Sequence, residues 1–480
     1  MRRAKIIATL GPALDDPVRL RAALFAGIDV VRLNFSHGTH ETHAERLERV
    51  HKLAPEIGRP IGSLGDLQGP KIRLGELPTD GIELVDGGDV VLMGGTERLD
   101  SYHDGAGTPL LPVVYDGLSG DVEPGALVLM DDGLLRLVAS RITDGQVHCR
   151  VVAGGVARSR KGVNLPGVAV SAKSLTAKDR EDLTAMIDMG VDWVALSFVR
   201  RPEDINEVRQ FIRERGGEQP VVSKLERPEV LDNLPAIVKA SDAVMVARGD
   251  MGVEVGPERV PALQKEIIAM ANSTGRPVIT ATEMLDSMIR SPRPTRAEAS
   301  DVANAVFDGT DALMLSGETA AGRYPVEAVR TMARIIEVAE SSRHLVHPPE
   351  PAADDMAIDR VVARAAVQAA EDARAKAVVV FSLSGSSVQL VSKFRPNVPI
   401  VGLTPRQETV RRLTLMWGTG GELVPEKDHT RDLIVSAEEV CLGSGYGQRG
   451  DAVVIVSGIP GGHGGTNRIL VHRLGHTPGD

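Results

Sequence analysis

The sequence predicts an α/β protein: a (β/α)8 barrel with an inserted small all-β lid domain and a C-terminal open α/β sheet domain. Three observations carry this reading. Apolar, β-branched runs alternate with segments of helical periodicity, the sequence form of a parallel sheet with crossover helices. Eight such runs can be placed, the number that closes a barrel. The alternation breaks twice, once inside the barrel pattern and once after it, and each break marks a further domain.

The eight barrel runs are Lys5 to Leu10, Val30 to Asn34, Pro60 to Asp66, Trp193 to Val199, Val221 to Glu226, Ala243 to Asp250, Pro277 to Thr282, and Ala312 to Glu318. Between most of them lie amphipathic segments: Asp16 to Phe25, His40 to Leu53, Asp179 to Met189, Glu203 to Arg213 and Pro257 to Ser273. One helix start is explicit, because Thr295 followed by Glu298 forms a capping box and Gly309 sits where that helix should stop. From Pro70 to Pro166 the helical period disappears. Short alternating runs, Val90 to Met93, Ala126 to Met130, Leu134 to Val138 and Val147 to Val152, are separated by Gly, Asp and Pro. They predict a small β domain inserted in a barrel loop, where it would hang over the active rim as a lid.

The Pro-rich stretch Val346 to Ala353 reads as a linker. After it the helix Asp359 to Arg374 and the runs Ala377 to Phe381, Pro399 to Leu403, Glu422 to Pro425 and Ala452 to Val456 predict an open α/β sheet, with Arg468 to Arg473 as an edge strand. The partition is therefore 1–69 with 167–342 for the barrel, 70–166 for the lid, and 354–480 for the third domain. A chain of 480 residues has room for three cores.

Polar residues collect at the carboxyl ends of the barrel runs, the rim where such barrels build sites. The candidates are Arg32, Asn34, Asp66, Lys224, Glu226, Gly249, Asp250, Thr282, Ser316 and Glu318. Lys224 and Glu226, two apart on one strand, are expected to share a face, with Asp250 closing the neighbouring strand. Two carboxylates and an ammonium meeting there suggest a magnesium-phosphate site.

Composition narrows the partners. A formal net charge of -10 and 3% aromatics argue against nucleic acid, so anionic substrates must be captured locally by Arg32, Arg73, Lys161 and Lys224. The two cysteines, Cys149 and Cys441, fall in different expected domains, which fits a reducing cytoplasm and not a disulfide framework. Neither a targeting segment nor a run long enough to span a membrane is evident.

These residues stand in stretches that together resemble the pyruvate kinase family over essentially the whole chain. They are KIIATLGPA at Lys5, VRLNFSHG at Val31, GDLQGPKIRLG at Gly65, DDGLL at Asp131 and KGVNLPG at Lys161. Further on come SKLE at Ser223, VMVARGDMGVEV at Val244, PVITATEMLDSMI at Pro277, PRPTRAEASDVANAVFDGTDALMLSGETA at Pro292, and SGIPGGHGGTN at Ser457. The resemblance implies glycolytic transfer of the phosphoryl group of phosphoenolpyruvate to ADP, giving pyruvate and ATP, by an allosterically regulated, ATP-binding cytoplasmic homotetramer. It places magnesium, for which manganese can substitute, on Glu226 and Asp250. Lys224 matches the residue stabilising the phosphoryl group in flight, and Arg32 one that holds the substrate phosphate. The amides around Gly249 and Asp250, with the Thr282 hydroxyl, match the substrate carboxylate cradle. Thr282 and Ser316 match the surroundings of enolate protonation, and Asn34, Phe35, Ser36, His37, Arg73 and Lys161 match the nucleotide side.

Two departures from the family pattern matter. Potassium-dependent members carry Glu where this chain has Lys71, and their potassium ligands match Asn34, Ser36, Asp66 and the Leu67 carbonyl. The Lys71 ammonium is therefore expected to stand in for potassium. A Lys that many relatives have after the GETA motif is Ala321 here, a change on the nucleotide side. In the third domain the segment Ser382-Leu383-Ser384-Gly385-Ser386-Ser387, leading into a helix expected near Val388, matches the family's effector loop. Gly461 to Asn467 resembles the glycine-rich loop that closes over effectors, so a phosphorylated metabolite is expected there. Two other classes stay open: a magnesium-dependent aldolase or phosphoenolpyruvate mutase on the same barrel, and a sensor without turnover.

Overall fold

Eight parallel strands close on themselves in the computed structural model, which describes residues 2–342, 357–427, 429–458 and 465–476. In chain order they are Lys5–Thr9, Val30–Asn34, Gly62–Asp66, Trp193–Leu196, Val221–Leu225, Ala243–Ala247, Val278–Ala281 and Ala312–Leu315. Pairing of Lys5 with Ala312 and of Ile7 with Val30 joins the first strand to the eighth and the second, which completes the ring. The runs are apolar throughout because both faces are buried. Ile7, Leu64, Trp193, Val222, Met245, Ile279 and Met314 fill the lumen, while Ile6, Leu33, Val194, Val221 and Val244 pack beneath the helices.

Several strands stop before the apolar run does, and this moves site residues off the strands. Glu226, Thr282 and Ser316 lie just beyond strand ends. Asp250 does not close the sixth strand as expected; it sits in the first turn of a short helix, Arg248–Val255. No side chain caps that helix, so its start carries no sequence signature. The next helix begins at Val260 and not at Pro257, separated from it by Gly256 at φ 91. The helix predicted to stop at Leu53 runs from His40 to Ile57 with Pro55 in its last turn. The expected capping box of Thr295 and Glu298 starts the helix Arg296–Phe307, and two further boxes, Thr39 with Thr42 and Thr176 with Asp179, start others.

The insertion is a β domain, its only helix among the described residues being the single turn Leu118–Asp121. Its six-stranded sheet runs in the order Val163–Asn164, Leu127–Met130, Leu135–Thr143, Gln146–Ala153, Asp89–Gly94, Leu110–Val113, beside a ribbon pairing Ile82–Leu84 with Gly155–Ala157. Val90, Leu92, Leu111, Val128, Met130, Leu137 and Cys149 form its own core.

In the third domain five strands stand in the order Thr419–Leu423, Ile400–Thr404, Val378–Phe381, Ala452–Ser457, Arg468–Arg473; the last is the expected edge strand, antiparallel to its neighbour. The strand expected at Glu422 to Pro425 begins earlier, at Thr419, because Gly420 and Gly421 belong to it. A Cβ at Gly421 would lie 3.0 Å from the Val410 carbonyl oxygen, so the glycine marks close backbone approach and not a turn. This domain closes the amino-terminal floor of the barrel. Lumen residues and Ala366, Val391, Leu415 and Val456 form one continuous core. Around it Lys5 Nζ donates to Thr419 O (2.7 Å), Arg411 pairs with Asp192 (2.7 Å), and Lys393 and Arg395 both pair with Asp311. The predicted linker at Val346 to Ala353 and the segment Gly461 to Gly464 lie outside the described residues.

Candidate active site

At the carboxyl rim, opposite that floor, the second, third and fifth strands deliver a buried charge cluster. Arg32 Nε donates to Asp66 Oδ2 at 2.7 Å, and Lys224 Nζ lies 3.3 Å from Asp66 Oδ1 and 3.0 Å from Glu226 Oε1. Burial alone would raise the Asp66 carboxyl, but Lys224 and Arg32 outweigh it and hold it below the usual range. Burial works equally against the Lys224 ammonium, and Asp66 with Glu226 overrides it, so Lys224 is firmly protonated. Glu226 is pushed up by burial and by the nearby charge of Asp250, against the pull of Lys224. Its Oε2 accepts the Phe198 amide at 2.8 Å, while the buried Oε1 faces the Lys224 ammonium. Two hydroxyls absent from the sequence candidates fix the cations: Arg32 Nη1 donates to Thr9 Oγ1 (3.0 Å), and Lys224 Nζ to Ser197 Oγ (2.6 Å), which donates to the Leu67 carbonyl (2.7 Å).

The sixth strand leads into the helix that bears Gly249 and Asp250, and Thr282 follows the seventh. Gly249 N–H donates to Thr282 Oγ1 at 2.7 Å. Thr282 and Glu283 have φ of 70 and 54, and a β-branched residue in the left-handed region is an outlier that concentrates at functional sites. Arg248 holds the strained segment by donating to the carbonyls of Ala281 (3.2 Å) and Thr282 (2.8 Å) while pairing with Asp301 (2.7 Å). Phe198, whose amide reaches Glu226, is likewise at positive φ, 55. Sequence patterns carry no signal for such strain. Lys71 reaches this helix from the lid hinge, its Nζ 2.9 Å from Asp250 Oδ1.

On the lid side, the isolated bridge between Arg73 and Gly162 sets Arg73 beside Lys161, whose Nζ is 2.8 Å from Asp131. Burial and the charges of Arg73, Arg32 and Lys71 lower the His37 pKa, so basic residues of lid and rim converge on the loop Asn34 to His37. That loop is held by one internal bond and two outside ones: Asn34 Oδ1 accepts the Ser36 amide (3.2 Å), Phe35 N donates to Asp66 O (3.0 Å), and Lys178 Nζ donates to Phe35 O (2.9 Å). Ser316 precedes the turn Gly317–Ala320 after the eighth strand, its side chain making no capping bond. Glu318 is a structural tie, its carboxylate accepting the amides of Leu285 (3.0 Å) and Ser316 (2.7 Å). Ala321 follows that turn.

Far from the rim, Gly385 at φ 88 leads into the helix Ser386–Lys393, so the expected helix starts two residues before Val388. Ser382 Oγ accepts the Gly385 amide (3.0 Å), Ser384 and Ser386 expose their hydroxyls, and Ser387 contacts Thr466 of the glycine-rich segment.

Comparison with known proteins supplies the family. The family model described as pyruvate kinase, barrel domain, matches residues 1–329, and that described as pyruvate kinase, alpha/beta domain, matches residues 360–472. A pyruvate kinase of Mycobacterium tuberculosis is 45% identical over 479 residues, covering 99% of each chain. One from Agrobacterium vitis is 42% identical with the same coverage. The crystal structure of a pyruvate kinase from Cryptosporidium parvum superposes with a TM-score of 0.91 at 34% identity, covering 98% of this chain and 96% of that one. With both domains matched and relatives aligned end to end, the chain belongs to the pyruvate kinase family of phosphotransferases.

Proposed function

We propose that this chain transfers the phosphoryl group of phosphoenolpyruvate to ADP, giving pyruvate and ATP, as a glycolytic enzyme. The observation that carries the reading is the buried rim cluster, in which Arg32 and Lys224 bracket Asp66 and Lys224 also reaches Glu226. Charge spreads over the equatorial oxygens of a phosphoryl group in transfer, so cations fixed around it stabilise the transition state without reorganising. Lys224 has that role, and Arg32 holds the substrate phosphate. The Gly249 and Asp250 amides with the Thr282 hydroxyl hold the carboxylate. A Cβ at Gly249 would meet nothing closer than Thr282 at 3.6 Å, so packing alone does not demand glycine; an approaching substrate does. Enolate protonation takes place beside Thr282 and Ser316, through water. The nucleotide is held by Asn34 to His37, Arg73 and Lys161.

Glu226 and Asp250 fit a divalent cation, because both offer hard carboxylate oxygens close enough for the charge of Asp250 to push the Glu226 pKa up, a repulsion that a bound cation would relieve. Among the described residues no group of three or more metal-ligating side chains exists, so substrate oxygens and water must complete the shell. Bound magnesium, or manganese in its place, would neutralise charge on the phosphoryl oxygens. Potassium is not required in this reading, since Lys71 already supplies a positive charge at Asp250 and Asp66, in the pocket formed with Asn34, Ser36 and Leu67, is offset by Arg32 and Lys224.

The reading extends to a barrel of residues 1–69 and 167–342, a lid of 70–166 that excludes water, and a regulatory domain of 354–480. A phosphorylated metabolite at Ser382, Ser384, Gly385, Ser386 and Ser387 would act on a cytoplasmic homotetramer. No helix among the described residues is long and apolar enough to cross a membrane. The test is to mix protein, phosphoenolpyruvate and magnesium with and without ADP. ADP-dependent pyruvate supports the kinase, ADP-independent consumption points to another enolpyruvate barrel, and no turnover points to a sensor.

A further inference from the structure

The helix Arg248–Val255 carries two acidic side chains one turn apart, Asp250 and Glu254, and both are engaged by the lid hinge. The outgoing hinge segment supplies Lys71, 2.9 Å from Asp250. The returning segment supplies Asn164, whose Nδ2 donates to Glu254 Oε1 at 2.9 Å in a buried contact. Arg227 joins them, with Nη1 3.3 Å from the same oxygen and Nη2 donating to the Val168 carbonyl at 3.0 Å. Farther along, Arg200 donates to the carbonyls of Val170 and Ala172. Asn164 is only three residues from Lys161, and Glu254 four from Asp250, so the Asn164–Glu254 hydrogen bond joins lid and rim beside the Lys71–Asp250 pair. Glu254 is 6% exposed, and its Oε2 is buried without a partner. A carboxylate kept in that condition is costly for stability alone.

We infer that Glu254 is a positioning residue, which together with Asn164 sets the register of the lid over the rim. The inference rests on the kinase reading, because its consequence is the placement of the nucleotide held by Arg73 and Lys161 relative to the phosphate held by Arg32 and Lys224. An in-line transfer tolerates little misplacement. Loss of the tether therefore affects ADP and turnover, and leaves phosphoenolpyruvate binding, which belongs to the barrel, nearly unchanged.

The test compares wild type, Asn164→Ala, Glu254→Ala, Glu254→Gln and the double alanine variant. Asn164→Ala is the mild change, since Arg227 still pairs with Glu254. For Asn164→Ala and Glu254→Ala, kcat falls about ten-fold and KM for ADP rises, with KM for phosphoenolpyruvate within about two-fold of wild type. Glu254→Gln keeps an acceptor for Asn164 and recovers most of the loss. The double variant is no worse than the worse single one, because both remove the same bond. Amide hydrogen exchange across residues 161–172 reports the tether directly and is faster in both alanine variants. Wild-type exchange and an unchanged KM for ADP in Asn164→Ala, with only a lowered melting temperature, would overturn the inference and leave Glu254 a structural charge. If the wild type itself made no ADP-dependent pyruvate, the kinase reading would fail. Exchange at 161–172 in the unliganded proteins would still decide whether Asn164 and Glu254 hold the hinge.

Discussion

Replacing Lys71 with Glu reverses a charge 2.9 Å from Asp250 at side-chain exposures of 24% and 23%. At an effective dielectric constant of about 20, two unit charges at that distance interact by roughly 6 kcal/mol before relaxation. The new carboxylate can swing away and admit water, so about half of that, ~3 kcal/mol, is the expected net penalty, or roughly 100-fold in rate. A surface lysine without a role would cost under about 0.5 kcal/mol, a change of about two-fold. The two accounts are well separated. The assay follows pyruvate formation in buffer free of sodium and potassium, with an organic cation fixing ionic strength, and then adds potassium. Wild type responds weakly. Lys71→Glu starts about 100-fold low and is restored by potassium, which supplies to the Asn34, Ser36, Asp66 and Leu67 pocket the charge that the ammonium gave. Strong potassium activation of the wild type, or a Lys71→Glu variant indifferent to potassium, would refute the reasoning.

Lys224→Met should lower kcat by about 1,000-fold while changing manganese affinity, read by electron paramagnetic resonance, only a few-fold, since Glu226 and Asp250 remain. A variant keeping most of its turnover would remove Lys224 from the transition state. It should also lose stability, about 3 kcal/mol, because Glu226 is left buried without its ammonium and Asp66 keeps only Arg32. Ser384→Asp places a carboxylate in the loop ahead of the helix Ser386–Lys393 and should abolish any response to hexose or pentose monophosphates or AMP at subsaturating phosphoenolpyruvate; an identical response in variant and wild type dismisses the loop as a site. Burial raises the Cys149 thiol from 9.0 to about 12. The unfolded chain therefore releases this proton first, and stability falls as pH rises above 9 toward 12. Between pH 8 and pH 10 the wild type should lose about 1.4 kcal/mol more than Cys149→Ala in urea unfolding, and equal losses would show that the thiol titrates normally.

What the sequence made legible follows from which signals are local. The barrel announces itself because each strand is buried on both faces and must be apolar, and Thr295 with Glu298 announces a helix because both partners of the cap lie within one turn. Rim residues such as Arg32, Asp66, Lys224 and Glu226 were visible because charge at the end of an apolar run has no bland place to go. Thr9 and Ser197 were not, since a hydroxyl beside a strand looks the same whether or not an arginine or lysine docks on it. The sequence shifts the strand Thr419–Leu423 toward Pro425 because Gly420 and Gly421 give a turn signal locally and a packing signal only against Val410 and Tyr446. The sequence puts Asp250 on a strand because the uncapped helix holding it is fixed by contacts from elsewhere: Lys71 and Asn164 from the lid, Thr282 just beyond the next strand.

That last case joins the fold to the chemistry. A helix with a strong start of its own would be held in one orientation by its cap. The helix Arg248–Val255 instead takes its position from Thr282, Lys71, Asn164 and Arg227, the first on the barrel, the next two on the lid hinge, the fourth following the fifth strand. Its weak local preference lets it register contributions from both domains at once. The residues that look least like helix in the sequence, Arg248-Gly249-Asp250, start it beside Thr282 on the barrel, while its last turn takes the Asn164 contact at Glu254, so the lid can shift with the substrate grip at the first turn nearly unmoved.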